Sequence, residues 1–136
     1  AATVAEGLEL QFSELEQLPL GEERVLRIMG EEKWLGMGAS IFASNCQVCH
    51  GENGEGTVGV NLTDNYFKNV RELGDITDVI RNGAGDGAMP PQRLLNDNEV
   101  SLVAAYVASL RGKNLPSARP PEGVEIPPFP DPIAPE

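Results

Sequence analysis

The 136-residue sequence predicts an all-α fold, and three observations support this fold class. Apolar residues recur at helical spacing through the middle of the chain, glycine-rich loops separate these segments, and one segment begins with a capping signal. The hydrophobic fraction of 40% suits a folded globule, but only 5% of the residues are aromatic. A small domain with so few large core side chains usually needs an additional stabilising group, such as a disulfide, a metal or a cofactor.

Composition divides the chain into three zones. They are an N-terminal extension over residues 1–35, a helical domain over residues 36–112 and a proline-rich C-terminal tail over residues 113–136. In the extension, Leu8, Leu10 and Phe12 alternate with polar residues as a short strand would, and residues 21–29 have helical spacing. We therefore expect an irregular segment with one short helix.

Four helices are predicted in the helical domain. The first three cover about residues 31–45, 64–73 and 75–82, and the last follows the Asn96 cap and ends at Gly112. The third has Asp75 as its expected N-cap and Gly83 just past its end. The fourth has the clearest pattern, because Asn96 and Glu99 form a capping box before an apolar stripe and Gly112 closes the helix.

The tail after Lys113 contains eight prolines. Proline lacks a backbone donor and fixes φ, so the tail is expected to be neither helix nor central strand. We expect an extended, polyproline-like chain that is loose rather than packed. Its possible anchors on the domain are the apolar residues Val124, Ile126, Phe129 and Ile133.

The strongest chemical signal is the segment Cys46-Gln47-Val48-Cys49-His50, which is the haem-attachment pattern. Two thiols three positions apart reach the two vinyl groups on one edge of a porphyrin and form thioethers. The adjacent imidazole then binds the iron from one face. We predict one covalently attached haem c, with Cys46 and Cys49 as its thioether residues and His50 as an axial iron ligand.

Two other interpretations of the cysteine pair are weaker. A thioredoxin-like redox pair would follow a strand, whereas a helical pattern precedes Cys46. A zinc site would have two cysteines and the single histidine of the chain, so its fourth ligand would have to be a carboxylate.

The second axial ligand is predicted to be Met89. The chain has one histidine and three methionines, so the ligand opposite His50 is not a second histidine. Met29 and Met37 precede the haem motif, whereas Met89 lies in an interhelical loop with glycines before it and two prolines after it. A lone methionine is usually core filler, but this loop setting favours a ligand. His/Met ligation favours ferrous iron and fills the sixth position, so electron transfer is expected rather than catalysis.

The helical domain resembles the class I bacterial cytochromes c over residues 36–112. In that family a glycine and an aromatic residue four positions apart precede the haem cysteines, and the glycine packs against an aromatic residue of the C-terminal helix. Gly38, Phe42 and Tyr106 match these three positions, and Leu62 matches an apolar residue that lines the haem pocket. The resemblance implies a class I cytochrome c-like helical domain wrapped around one covalent haem.

One departure from the family concerns the turn that orients the histidine. The family commonly has a Gly-Pro-x-Leu stretch, in which the proline carbonyl accepts a hydrogen bond from the ligand imidazole. Here the stretch is Gly59-Val60-Asn61-Leu62, so the resemblance assigns this role to the Val60 carbonyl, in a turn without the stiffness of proline. The candidates for holding the haem propionates are Arg71, Arg81, Arg93, Tyr66 and Trp34.

Charge and hydropathy bear on partners and location. The net charge of -11 argues against nucleic acid as a ligand and is suited to solubility or to steering toward basic patches on redox partners.

No apolar run approaches the roughly 18 to 20 residues that cross a bilayer. The opening Ala1-Ala2-Thr3 is typical of a chain after removal of a signal peptide. We expect a monomer in the periplasm or another extracytoplasmic space, either soluble or tethered to a membrane.

The resemblance implies a one-electron carrier, not an enzyme. Its expected partners are membrane respiratory complexes: a quinol-oxidising complex as electron donor, and a haem-copper oxidase or a reductase as acceptor. One alternative is a dedicated electron-entry subunit of a single redox enzyme complex, held there by the two extensions. Another is a haem peroxidase or gas sensor, which would need an open sixth position on the iron.

Overall fold

The computed structural model describes residues 12–135, apart from the side chain of Asp86. The helices are α1 Glu22–Met29, α2 Glu32–Asn45, α3 Gln47–His50, α4 Gly74–Asn82 and α5 Asp97–Leu110, with a 3-10 turn at Gly85–Gly87. Residues 12–16 are also helical. Strands β1 Tyr66–Phe67 and β2 Val124–Glu125 form an antiparallel pair. None of the helices in this described part is both long and apolar enough to span a membrane.

The core forms around the crossing of α2 and α5. Helix α5 buries nine of its fourteen residues, and α2 contributes the fully buried Trp34 and Phe42. Helix α1 adds Val25 and Ile28, which are both 0% exposed. The described part of the extension, residues 12–35, therefore contributes to the hydrophobic core. The helix predicted over residues 21–29 is confirmed, and the packing of the extension on the domain follows from its buried face.

The predicted strand in the extension lies mostly outside the described residues, since Leu8 and Leu10 precede residue 12. Phe12 belongs to the helical stretch, so the strand prediction is wrong at this position. Its ring packs on Trp34, with the ring centroids 5.0 Å apart. This aromatic contact to α2 offsets the local preference for alternation.

Helix α5 begins as the sequence predicts. Asn96 accepts a hydrogen bond from the backbone amide of Glu99 at 2.8 Å, and the Glu99 carboxylate accepts one from the Asn96 amide at 2.9 Å. The N-cap predicted at Asp75 is wrong, because α4 begins at Gly74. The Asp75 carboxylate instead accepts hydrogen bonds from the backbone amides of Arg71 and Glu72, at 2.9 and 3.1 Å. It therefore closes the turn before the helix.

The helix predicted over residues 64–73 is wrong. The Asp64 carboxylate accepts a hydrogen bond from the Tyr66 amide at 2.9 Å, and Tyr66 and Phe67 pair with β2. The Arg71 guanidinium donates to three backbone carbonyls, those of Phe67, Lys68 and Val70, at 3.0 to 3.3 Å. Side-chain contacts of this kind compete with helix formation, and here they are joined by a strand from a distant part of the chain.

The C-terminal tail is packed on the domain, so the expectation of a loose tail is wrong. Arg111 donates hydrogen bonds to the carbonyls of Ile126 and Pro127, and its guanidinium lies 4.9 Å from the Phe129 ring centroid. Ile126 is buried, and the Phe129 ring packs against that of Phe67 in a tilted arrangement, with ring centroids 5.9 Å apart. A proline-rich chain has few donors but keeps its carbonyls, and a five-donor guanidinium suits such a chain. Of the four possible anchors, Val124 and Ile133 remain exposed at 47% and 40%.

The buried carboxyl of Asp64 should make the free energy of unfolding depend on pH. It is 6% exposed, and its Oδ2 has no hydrogen-bond partner among the described atoms. Burial raises the pKa of this carboxyl, the bond from the Tyr66 amide partly offsets the rise, and the Glu122 carboxylate adds to it. The pKa of Asp64 is therefore higher in the folded than in the unfolded protein. Its contribution to the free energy of unfolding is fully present below the unfolded pKa and is lost as pH rises through the folded pKa.

Asp64→Asn is expected to stabilise the protein at pH 7 by about 1 kcal/mol, because an amide avoids the cost of a buried charge and its repulsion by Glu122. The gain should disappear at about pH 3, well below the unfolded pKa of Asp, where Asp64 is largely neutral in both states. Denaturant titrations at the two pH values measure the effect. Asp78→Asn, which removes an exposed carboxylate from α4, is the control, and an equal gain there would contradict the assignment to Asp64.

Candidate haem site

The two cysteines and the histidine occupy one helical turn. Helix α2 ends at Asn45, and the Cys46 amide still donates to the Phe42 carbonyl at 2.8 Å. The Cys46 carbonyl then accepts from the amides of Cys49 and His50, at 3.2 and 3.0 Å, and so forms α3. Both cysteines are free thiols, Cys46 buried and Cys49 half-buried. Two thiols are thus presented from a single turn, with the imidazole immediately after them.

The backbone carbonyl of Val60 holds the imidazole of His50. The distance from His50 Nδ1 to the Val60 oxygen is 2.9 Å, and the histidine is 9% exposed. A carbonyl oxygen only accepts, so this contact requires the proton on Nδ1 and leaves the lone pair on Nε2 available to a metal. The Val60 carbonyl therefore has the partner that the resemblance implies, although valine replaces the proline.

The loop after His50 is tightly bonded to the haem motif, which the sequence did not predict. The Cys49 carbonyl accepts hydrogen bonds from the amides of Thr57 and Gly59, at 3.1 and 2.7 Å, and from the Thr57 hydroxyl at 2.8 Å. A Cβ on Gly59 would lie 3.0 Å from His50 Nδ1, so the ring packs directly on the glycine backbone. The Gly-x-x-Leu spacing indicated this glycine, but no local pattern reveals the threonine.

The chemistry of the thiols disfavours a redox pair. Burial, together with the neighbouring Cys49, raises the pKa of the Cys46 thiol to about 11. A thiol of this kind is protonated at neutral pH, whereas redox-active cysteines have lowered pKa values. Among the side chains that the structure describes, no three His, Cys, Asp or Glu residues are grouped to hold a metal ion.

The residues predicted to pack behind the haem motif come together. A Cβ on Gly38 would overlap the Leu102 carbonyl oxygen of α5 and would lie 3.0 Å from the Tyr106 Cβ. The rings of Phe42 and Tyr106 have centroids 5.3 Å apart. Leu62 is half-buried against the core, and its amide donates to the Gly54 carbonyl at 2.7 Å. The close crossing of α2 and α5 therefore fixes the helix that carries the cysteines.

Met89 is half-buried in a loop that the backbone shapes. Its amide and carbonyl exchange two hydrogen bonds of 3.0 Å with Ala84. Gly83 has φ +78°, and a Cβ there would lie 3.0 Å from the Pro91 nitrogen. The Gln92 amide donates to the Ile80 carbonyl at 2.9 Å, which ties the end of the loop to α4. None of these contacts uses the thioether of Met89.

Most of the propionate candidates have other partners. Arg81 forms an ion pair with Asp97 at 2.6 Å, Arg71 binds backbone carbonyls, and Trp34 is 1% exposed in the core. Arg93 and Tyr66 remain on the surface.

The chain is similar to subunits of cbb3-type cytochrome c oxidases. Residues 36–107 match the family model described as cytochrome C oxidase, cbb3-type, subunit III. The chain is 40% identical over 81 residues to the cbb3-type cytochrome c oxidase subunit FixP of Azorhizobium caulinodans, and the match covers 55% of this chain and 27% of that protein. It is 36% identical over 104 residues to the subunit CcoP of Rhodobacter capsulatus, with 65% and 34% covered. It therefore spans about a third or less of these relatives.

A solved structure extends the likeness to the fold. The crystal structure of cytochrome CL from Methylophaga aminisulfidivorans matches with a TM-score of 0.54 and 26% sequence identity. The match covers 69% of this chain and 76% of that protein. The region of similarity includes more than the segment matched by the family model, which is 36–107.

Proposed function

The chain belongs to the cbb3-type cytochrome c oxidase subunit III family, and on this premise we propose that it is a one-electron carrier with a single covalent haem c. Its fold is that of a class I cytochrome c. The observation that carries the proposal is the held imidazole of His50, which follows two free thiols on one helical turn. One attachment motif in the sequence supports one haem.

The residues present fit such a group. Cys46 and Cys49 would attach it covalently, and His50 would bind the iron through Nε2, since Nδ1 is engaged by Val60. Met89 would supply a second, thioether ligand from its backbone-shaped loop. When bound, the haem supplies a reversible one-electron couple. The chain itself orients the imidazole through the Val60 carbonyl, supports the helix that leads to the cysteines through the contact between Phe42 and Tyr106, and shapes the ligand loop with main-chain hydrogen bonds.

We further propose that the protein acts with membrane respiratory complexes and lies outside the cytoplasm. The relatives support the first statement, because their names place them in cbb3-type oxidases. The acidic character of the chain supports association with basic redox partners, at a rate that falls with ionic strength. The packing of residues 12–35 and of the C-terminal tail favours the second candidate function, an electron-entry subunit of one oxidase complex, since both add structured surface to the haem domain.

An optical redox titration of the matured protein tests the proposal. We expect a c-type haem spectrum, one haem per chain, a far-red sulfur-to-iron band in the oxidised form and a positive midpoint potential against hydrogen. Rapid binding of carbon monoxide to the reduced form would favour a gas sensor or peroxidase instead. A partner complex that co-purifies at fixed ratio would favour the dedicated subunit over the mobile shuttle.

A further inference from the structure

We propose that Arg119, in the C-terminal tail, is a positioning residue for His50: it clamps the loop whose carbonyl orients the ligand imidazole and so replaces the stiffness of the missing proline. The inference rests on the proposed haem function, because it assigns a redox consequence to the contact. The contact itself is a feature of the polypeptide.

The clamp joins two segments that are far apart in sequence. Arg119 Nη1 donates to the carbonyls of Thr57 and Val58, at 2.9 and 3.1 Å. Its backbone amide donates to the Glu55 carbonyl at 3.0 Å, and its carbonyl accepts from the Asn61 side-chain amide at 3.1 Å. The tail residue thus holds the loop on both sides of Val60. Four hydrogen bonds join this one residue to the loop, two through its side chain and two through its backbone.

The loop transmits this restraint to the imidazole over a short distance. Its opposite side is bonded to the haem motif, because the amides of Thr57 and Gly59 donate to the Cys49 carbonyl and the Gly56 amide donates to the His50 carbonyl. The Val60 carbonyl then accepts from His50 Nδ1 at 2.9 Å. A displacement of the loop would lengthen this last bond. A weaker bond makes the imidazole a less basic ligand and favours ferrous iron.

One further contact holds the guanidinium, and another orients the Asn61 side chain that bonds the Arg119 backbone carbonyl. Its Nη2 is paired with the Glu122 carboxylate at 3.1 Å, and the side chain is 38% exposed. Asn61, which is 7% exposed, uses its carbonyl oxygen to accept from the amide and hydroxyl of Thr63, at 2.8 and 2.7 Å. A planar guanidinium reaches two carbonyls and a carboxylate together, whereas a lysine ammonium is a single point charge on a flexible stem.

The test compares Arg119→Ala and Arg119→Lys with Lys113→Ala in the haem-loaded protein. The last variant removes one exposed positive charge from the same segment. Native-state hydrogen exchange of the Gly56, Thr57 and Gly59 amides reports the loop. We expect exchange at least about tenfold faster in both Arg119 variants, from the loss of charge-assisted hydrogen bonds, and no change in Lys113→Ala. The Ile126 and Ile133 amides, bonded to Asn65 and Leu26, should keep their protection and so show that the tail stays docked.

The midpoint potential supplies a readout that a purely structural contact would not move. Arg119→Lys keeps the charge, so its potential should rise as the imidazole loses its carbonyl partner. The proposed role of Arg119 would be wrong if hydrogen exchange of the loop amides were unchanged in the Arg119 variants. It would also be wrong if the midpoint potential of Arg119→Lys were unchanged or lower. A wild-type spectrum without a His/Met-ligated haem would overturn the proposed function instead and would leave the exchange result standing.

Discussion

Replacing Met89 with alanine is expected to remove the far-red sulfur-to-iron band of the oxidised protein, to lower its midpoint potential and to open the reduced form to carbon monoxide. A neutral thioether is soft and favours ferrous iron, so its loss lowers the potential. Without the thioether the sixth position is no longer filled by the chain. The optical spectrum, a redox titration and carbon monoxide mixing measure the three effects.

The backbone of the ligand loop should survive this substitution. The two hydrogen bonds between Ala84 and Met89 are main-chain bonds, and the turn is set by Gly83 at φ +78°. The variant should therefore fold with its loop in place, and the spectral change reports the missing ligand.

Met37→Ala is the matched control for Met89→Ala. Met37 lies on α2, where it lines a groove with Phe12, Ile41 and Leu102. Its truncation removes apolar contacts, so it should cost stability without changing the band or the potential. A band that persists in Met89→Ala and disappears in Met37→Ala would reverse the ligand assignment.

The sequence predicted the parts of this molecule that short-range patterns encode. The capping box of α5, the helix that leads to Cys46 and the helical spacing of residues 21–29 all depend on residues a few positions apart. The attachment motif is of the same kind. Such patterns can be recognised in a sequence because a helix brings residues three and four positions apart onto one face.

The N-cap error at Asp75 was local, but the two larger errors arose where distant segments meet. Residues 64–73 have a plausible helical composition, but Tyr66 and Phe67 pair with a strand nearly sixty residues further on. The tail was expected to be loose because proline disfavours regular structure. Instead, Arg111 of the domain donates to the Pro127 carbonyl of the tail, and Arg119 of the tail donates to the Thr57 carbonyl of the domain. A guanidinium that recognises backbone carbonyls leaves no periodic trace in the sequence, so these contacts could not be predicted from local pattern.

The close approach of α2 and α5 leads to the second large effect. Gly38→Ala is expected to destabilise the protein by about 3 kcal/mol, near the upper end of overpacking costs. The added Cβ would overlap the Leu102 carbonyl oxygen and would lie 2.9 Å from its carbon and 3.0 Å from the Tyr106 Cβ. Two of these three atoms are backbone, which yields less easily than the end of a side chain, so the helices themselves must separate.

Gly36→Ala tests the same substitution two residues away on α2. Nothing lies within 4 Å of the Cβ built at Gly36, so only helix propensity changes there, and alanine should stabilise the helix by up to about 1 kcal/mol. Denaturant titration of the haem-loaded variants should therefore give shifts of opposite sign. Because Phe42 meets Tyr106 one turn beyond Gly38, separation of the helices should also disturb the support of Cys46, and the haem absorption of Gly38→Ala should be lost at lower denaturant. Equal stability of the two variants would mean that α2 and α5 do not cross at Gly38, and the packing that fixes the attachment turn would have to come from elsewhere in the domain.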